Sequence, residues 1–238
     1  MNEQLRSELA PGGRLRVGLN MGNFLLVNKD AGGKIHGIVP DLAQVLASRL
    51  GATVEFLEYP SAGPVADAAA SGAWDVAFIG AEPQRAAAIA FTPAYVEIPA
   101  TYLVPPGSPI RALADVDKPG VRVATAARSA YDLYLSRNLK HAELVRAEGI
   151  PASYDLFVKE KLDVLSGLLP RLTQDVQRLP GARILEGRFT AIQQAIGTPR
   201  ARAAGARWLE AFVAELRSSG LVGRLIERHG VRGITPAA

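Results

Sequence analysis

The chain is predicted to be an α/β protein made of two successive strand–helix series. Short runs rich in valine, isoleucine and leucine alternate with amphipathic stretches at strand–helix–strand spacing, which argues for parallel, doubly wound sheets. Glycine and proline fall between these runs as stops and starts. The 238 residues are 48% hydrophobic and 21% charged, which fits a folded chain of one large domain or two of about 100–150 residues each.

Residues 14–19 read as the first strand. Residues 39–51 read as a helix: Pro40 suits the first turn, Gly51 suits a left-handed stop, and Leu42, Val45, Leu46 and Leu50 form one apolar stripe. A strand over 53–57, a short alanine-rich helix over 64–71 ended by Gly72, and a strand over 74–79 follow. The chain then runs extended through 100–104 into Pro105-Pro-Gly-Ser-Pro109, a composition suited to a domain boundary or a crossing strand. The second series comprises strands at 121–125, 143–145 and 162–166, and helices at 129–138, 151–160 and from Pro170. Extended segments near 183–185 and 191–196 lead to a long helix over 200–219. Its apolar face is Trp208, Leu209, Phe212, Val213 and Leu216, and a shorter helix over 221–229 closes the chain.

Composition excludes several classes of function. With no cysteine there is no disulfide, thiol nucleophile or Cys-ligated zinc. The formal charge is +4, but the basic residues are scattered, so nucleic-acid binding has no concentrated footprint. No window approaches a membrane span. Residues 1–8 lack the apolar stretch of a secretory signal, which leaves two alternatives open, a removed signal or a cytosolic protein. His36, His141 and His229 have no metal-ligand spacing, and no phosphate-binding glycine loop or nucleophile elbow occurs. No cofactor or metal is expected.

The segment from Asp75 to Tyr95 carries the strongest functional signal. It reads as a buried strand, a turn at Gly80, a segment from Glu82 to Arg85, and an aromatic run into Pro93. A guanidinium is thereby set just past the carboxyl end of a strand, where ligands of open α/β sheets bind. Arginine is the side chain best shaped to fork a carboxylate. The plainer alternative is a surface arginine at a helix start, a poor position for a cation. Glu82 pairs Arg85 locally or accepts hydrogen bonds from a ligand. Ser129 opens a helix, where its hydroxyl caps and free N–H groups attract anions; Arg128 beside it offers a second cation. Phe24 serves as an aromatic wall or as core, and Asn20, at the end of the first strand, offers a donor and an acceptor.

Nearly the whole chain resembles the family 3 solute-binding proteins, the amino-acid receptors of ABC importers. The resemblance rests on Leu15-Arg-Val-Gly-Leu-Asn20 with Phe24, on Gly33-Lys-Ile-His-Gly-Ile-Val-Pro-Asp-Leu-Ala43, and on Gly72-Ala-Trp-Asp75. Arg85 with Phe91, Lys161-Leu-Asp163 and Leu216-Arg-Ser-Ser-Gly220 complete it. It implies a two-lobed periplasmic-binding-protein-like fold, each lobe a doubly wound sheet, with two hinge strands. Lobe 1 would comprise 1–102 and 197–238, and lobe 2 would comprise 103–196. It further implies a non-enzymatic, monomeric periplasmic receptor that closes over a small carboxylate-bearing ligand and delivers it to a membrane permease. Arg85 would grip the carboxylate.

Two departures from the family pattern narrow the ligand. The turn Gly80-Ala-Glu-Pro-Gln84 is shorter than usual and lacks the hydroxyls that normally face the ligand. In Asp163-Val-Leu-Ser-Gly-Leu-Leu-Pro170, Leu168 stands where the family's amino-acid binders carry the Asp that neutralises the α-ammonium. An unpaired buried ammonium costs several kcal/mol. The expected ligand therefore lacks the amine, or Glu82 replaces its partner. Two other readings of the same scaffold are a dehydratase-like enzyme, with Glu82 as general acid, and a cytosolic ligand-sensing domain.

Overall fold

A computed structural model describes residues 3–238; Met1 and Asn2 of the expected first lobe lie outside the described residues. In chain order the elements are α1 Glu3–Leu9, β1 Arg14–Asn20, β2 Asn28–Lys29, β3 Ile35–His36, α2 Ile38–Leu50, β4 Thr53–Tyr59, α3 Ala62–Asp67 and β5 Val76–Gly80. The long strand β6 Ile89–Val104 leads to β7 Arg122–Ala126, α4 Ala130–Asn138, β8 Glu143–Ala147, α5 Ile150–Lys159, β9 Val164–Leu168, α6 Leu169–Asp175 and β10 Arg183–Ile184. The chain ends with β11 Thr190–Pro199, α7 Ala203–Ser218, α8 Leu221–Arg228 and β12 Thr235–Pro236. The fold is mixed α/β.

The chain divides into two compact units. One runs to Glu97 and resumes over Gln193–Ala238; the other is Ile98–Ile192. Both divisions fall inside strands, β6 and β11, rather than at the proline cluster. Pro105 to Ser108 instead forms a turn within the second unit, closed by Ser108 N–H on the Pro105 carbonyl at 3.2 Å.

In the first unit β4, β1, β5 and β11 lie in that order, with the first part of β6 beyond β11. β1 is parallel to β4 from Arg14 opposite Thr53 to Asn20 opposite Tyr59, and parallel to β5 at Val17 opposite Val76. β11 runs antiparallel to β5, with Gln194 opposite Gly80. Every residue of β5 is buried, as expected for a central strand covered on both faces. Helix α2 stops at Gly51 in the left-handed conformation, φ 57°, the stop its sequence predicts.

Trp74 is not part of the strand. Its ring is fully buried with Val65, Ala69 and Ile79, and its Nε1–H donates to the Val65 carbonyl at 2.9 Å. The ladder begins only at Val76 because Asp75 uses its carboxylate, as well as its backbone, to bind Arg16 of β1. The alanine-rich helix is also shorter than predicted, ending at Asp67 before a turn into left-handed Gly72. Helix α1, absent from the prediction, buries Leu5 and Leu9, and the Glu8 carboxylate accepts the Gly205 N–H of α7 at 2.7 Å.

In the second unit the order is β6, β9, β7, β8. β7 is parallel to both neighbours, and β9 is antiparallel to β6 with Leu168 opposite Ala100. Side chains alternate across this sheet. Val123 packs with Leu135, Val164 and Tyr102 on the α4 face, whereas Ala124 packs with Tyr154, Phe157 and Leu165 on the α5 face.

Candidate functional site

The carboxyl edge of the first unit's sheet collects most of the residues singled out in its sequence. β1 and β5 are parallel neighbours, so Asn20 and Gly80 end adjacent strands on one edge. After Gly80 the chain turns through Glu82 into a single 3-10 turn, Arg85–Ala87. Arg85 N–H donates to the Glu82 carbonyl at 2.9 Å. Its side chain is not on the surface: Arg85 is 6% exposed, and Nη1 donates to the Gly80 carbonyl at 2.7 Å. The guanidinium is thus fixed against the strand end that precedes it, and the short turn brings it there. Glu82 is half-buried.

The loop after β1 is tightly wound. Asn20 Oδ1 accepts the Gly22 N–H at 3.1 Å, so its acceptor serves its own turn. A Cβ on Gly22 would stand 2.8 Å from the Pro60 carbonyl; only glycine lets the loop approach so closely. Phe24 is half-buried, and its carbonyl accepts the Asn28 Nδ2–H at 2.7 Å. Beside it sits Asn23, which the sequence did not single out. Asn23 is 5% exposed and its Oδ1 has no hydrogen-bond partner.

In the second unit, Leu168 ends β9 and is 5% exposed. It shares the carboxyl edge with the end of β7, because β7 and β9 are parallel neighbours. Ser129 is the N-cap of α4, its Oγ accepting the Asp132 N–H at 3.1 Å. Arg128 has φ 57°, a left-handed conformation costing a non-glycine residue about 1–2 kcal/mol. It is held there by its own N–H, which donates to Asp132 Oδ2 at 2.8 Å. Asp132 is buried and also accepts from Arg146 Nε at 3.0 and 3.2 Å.

A charged assembly that the sequence reading missed anchors β5. The fully buried Asp75 carboxylate accepts Arg16 N–H at 2.8 Å, Arg16 Nε and Nη2 at 3.1 and 2.7 Å, and Arg202 Nη1 at 2.5 Å. The hydrogen bond to Asp75 raises the Arg16 guanidinium above its usual range despite its partial burial. Among the described residues no group of histidine and carboxylate side chains could hold a metal ion. No helix there is long and apolar enough to cross a membrane. His229 is engaged with a carboxylate instead, its Nε2 lying 2.9 Å from Asp41 Oδ2.

The model of the bacterial extracellular solute-binding proteins, family 3, matches residues 15–232. The chain belongs to that family. No curated protein matches it. Among solved structures, an ancestral amino acid-binding protein described as a precursor of cyclohexadienyl dehydratase matches with TM-score 0.77 and 21% identity, covering 93% of this chain and 97% of its own. A mutant of ArgBP from T. maritima gives TM-score 0.77 at 21% identity, over 94% and 98% of the two chains. A putative ABC-transporter binding component from Wolinella succinogenes, complexed with lysine, gives 0.77 at 21% over 91% and 95%. These likenesses establish the two-lobed fold of periplasmic binding proteins for this family 3 member, and the family establishes a solute-binding role.

Proposed function

We propose that this family 3 protein is the receptor of an ABC-type importer for a small carboxylate-bearing solute that lacks an α-amine. Arg85 carries the reading. Its guanidinium is 6% exposed and fixed to the Gly80 carbonyl at the carboxyl edge of the sheet, where a carboxylate would meet a pre-oriented fork. Leu168 supports the absence of an amine: an apolar side chain ends β9 where the family's amino-acid binders hold an ammonium with a carboxylate. Solved structures of the same fold hold lysine and arginine; the solute proposed here would share their carboxylate and lack their amine. Capture without turnover, in the periplasm and for a membrane permease, follows the family's usual role.

A thermal-shift screen of the purified protein against two matched sets tests this reading. Small organic acids without an amine are expected to raise Tm in proportion to occupancy, while the standard L-amino acids leave it unmoved. A single strong shift from an ordinary amino acid, with none from the acids, would overturn it.

A further inference from the structure

Within the first unit a short strand, β12, is laid as a strap on the strand that leaves the unit. After α8 the chain turns and places β12 antiparallel to β6, Thr235 opposite Glu97 and Pro236 opposite Val96. The Ala237 N–H donates to the Tyr95 carbonyl at 3.1 Å. Ile234 and Ala237 on either side are buried, and Arg217 Nη2 of α7 donates to the Ala238 carbonyl. Pro236 lies over Gly223 of α8. The strap is thus seated by burial as well as by its ladder.

Its position matters more than its size. β6 passes from the first unit to the second between Glu97 and Ile98. Along one edge of β6 runs β11, flanked by Arg200 N–H on the Ala88 carbonyl at 2.8 Å and Phe189 N–H on the Ala100 carbonyl at 3.0 Å. The other edge changes partner at the division. β12 serves it as far as Glu97, and β9 serves it from Ala100, opposite Leu168. Ile98 and Pro99 lie between the two ladders, and Pro99 has no N–H to offer either. A strand pinned on both sides of so short a gap bends at the gap. Without β12 the bare edge would extend back through Val96 and Tyr95, and backbone that loses its ladder opens more readily.

We infer that β12 is a hinge strap. It fixes the first-unit end of the crossing strand, confines bending to Ile98 and Pro99, and so limits the range of conformations that the ligand-free protein samples. The device depends neither on Arg85 nor on the identity of the solute.

The test is pulsed electron double resonance on the ligand-free protein. The chain has no cysteine, so Glu210→Cys in the first unit and Lys159→Cys in the second, both at exposed positions, take spin labels specifically. Two variants free the strap. Deletion of residues 235–238 removes it, and Ala237→Pro keeps the chain length while removing the N–H bound to Tyr95. Both are expected to broaden the label-to-label distance distribution, the deletion more than the proline. Circular dichroism verifies folding. If the deletion does not fold, the Ala237→Pro distribution decides: broadened it supports the strap, unchanged it overturns it. A lowered Tm with the distribution unchanged in both variants would make β12 a cover for the strand edge and overturn the hinge role. None of these outcomes bears on the carboxylate clamp, which the thermal-shift screen tests separately.

Discussion

Each unit opens one of its central strands with the same device, and the two copies differ in weight. In the first unit Asp75 N–H donates to the Arg16 carbonyl at 2.8 Å, and its carboxylate takes the Arg16 N–H at 2.8 Å. In the second, Asp163 N–H donates to the Arg122 carbonyl at 3.1 Å, and its carboxylate takes the Arg122 N–H at 2.8 Å. The local geometry is nearly shared. The surroundings are not: Asp75 has no exposed side-chain surface and binds two guanidinium groups, whereas Asp163 is 42% exposed with Arg122 Nε at 3.7 Å. One motif thus becomes a buried ionic anchor in one unit and a solvated strand cap in the other. Burial, rather than the motif, sets its energetic importance.

Substitution separates the two. Asp75→Asn should lower stability by about 3–5 kcal/mol, because two guanidinium groups lose the carboxylate that compensates their burial. Asp163→Asn should cost about 1 kcal/mol or less, as expected of an exposed pair. Urea titration followed by circular dichroism measures both, and equal costs would break the comparison. A smaller effect sharpens it on the exposed side. The Asp115 carboxyl is depressed to about 2 by Lys118 and by the Arg111 and Ala112 N–H groups, and that of Asp117 is lowered chiefly by the Ala142 and His141 N–H groups. A carboxylate whose folded value is depressed stabilises above its unfolded value and loses that contribution as pH falls through the folded one. The difference between wild type and Asp115→Asn should therefore shrink between about pH 4 and pH 2. A difference that persists at the acid end would place its origin outside the carboxylate.

The same contrast between local and distant causes explains what the sequence revealed. Helix α2 was readable because Pro40 and Gly51 act on their own backbone, and the parallel pairing of β1 with β4 and β5 followed from strand–helix spacing. Trp74 was misread as strand because nothing local reveals that Asp75 substitutes its side chain for a ladder bond. The Arg16–Asp75–Arg202 assembly joins residues far apart in the chain, and single residues give no sign of it. Arg85 was placed correctly at the strand end, yet its burial depends on the short turn bringing Nη1 back to the Gly80 carbonyl. The left-handed Arg128 had no signal at all; glycine would have announced that backbone, and arginine concealed it.

The proposed role of Arg85 is to clamp the ligand's carboxylate. Calorimetric titration of wild type and Arg85→Ala with the organic acid that most raises wild-type Tm tests it most directly. Loss of measurable binding is expected in the variant, with folding verified by circular dichroism. Unchanged affinity in a folded Arg85→Ala protein would contradict it.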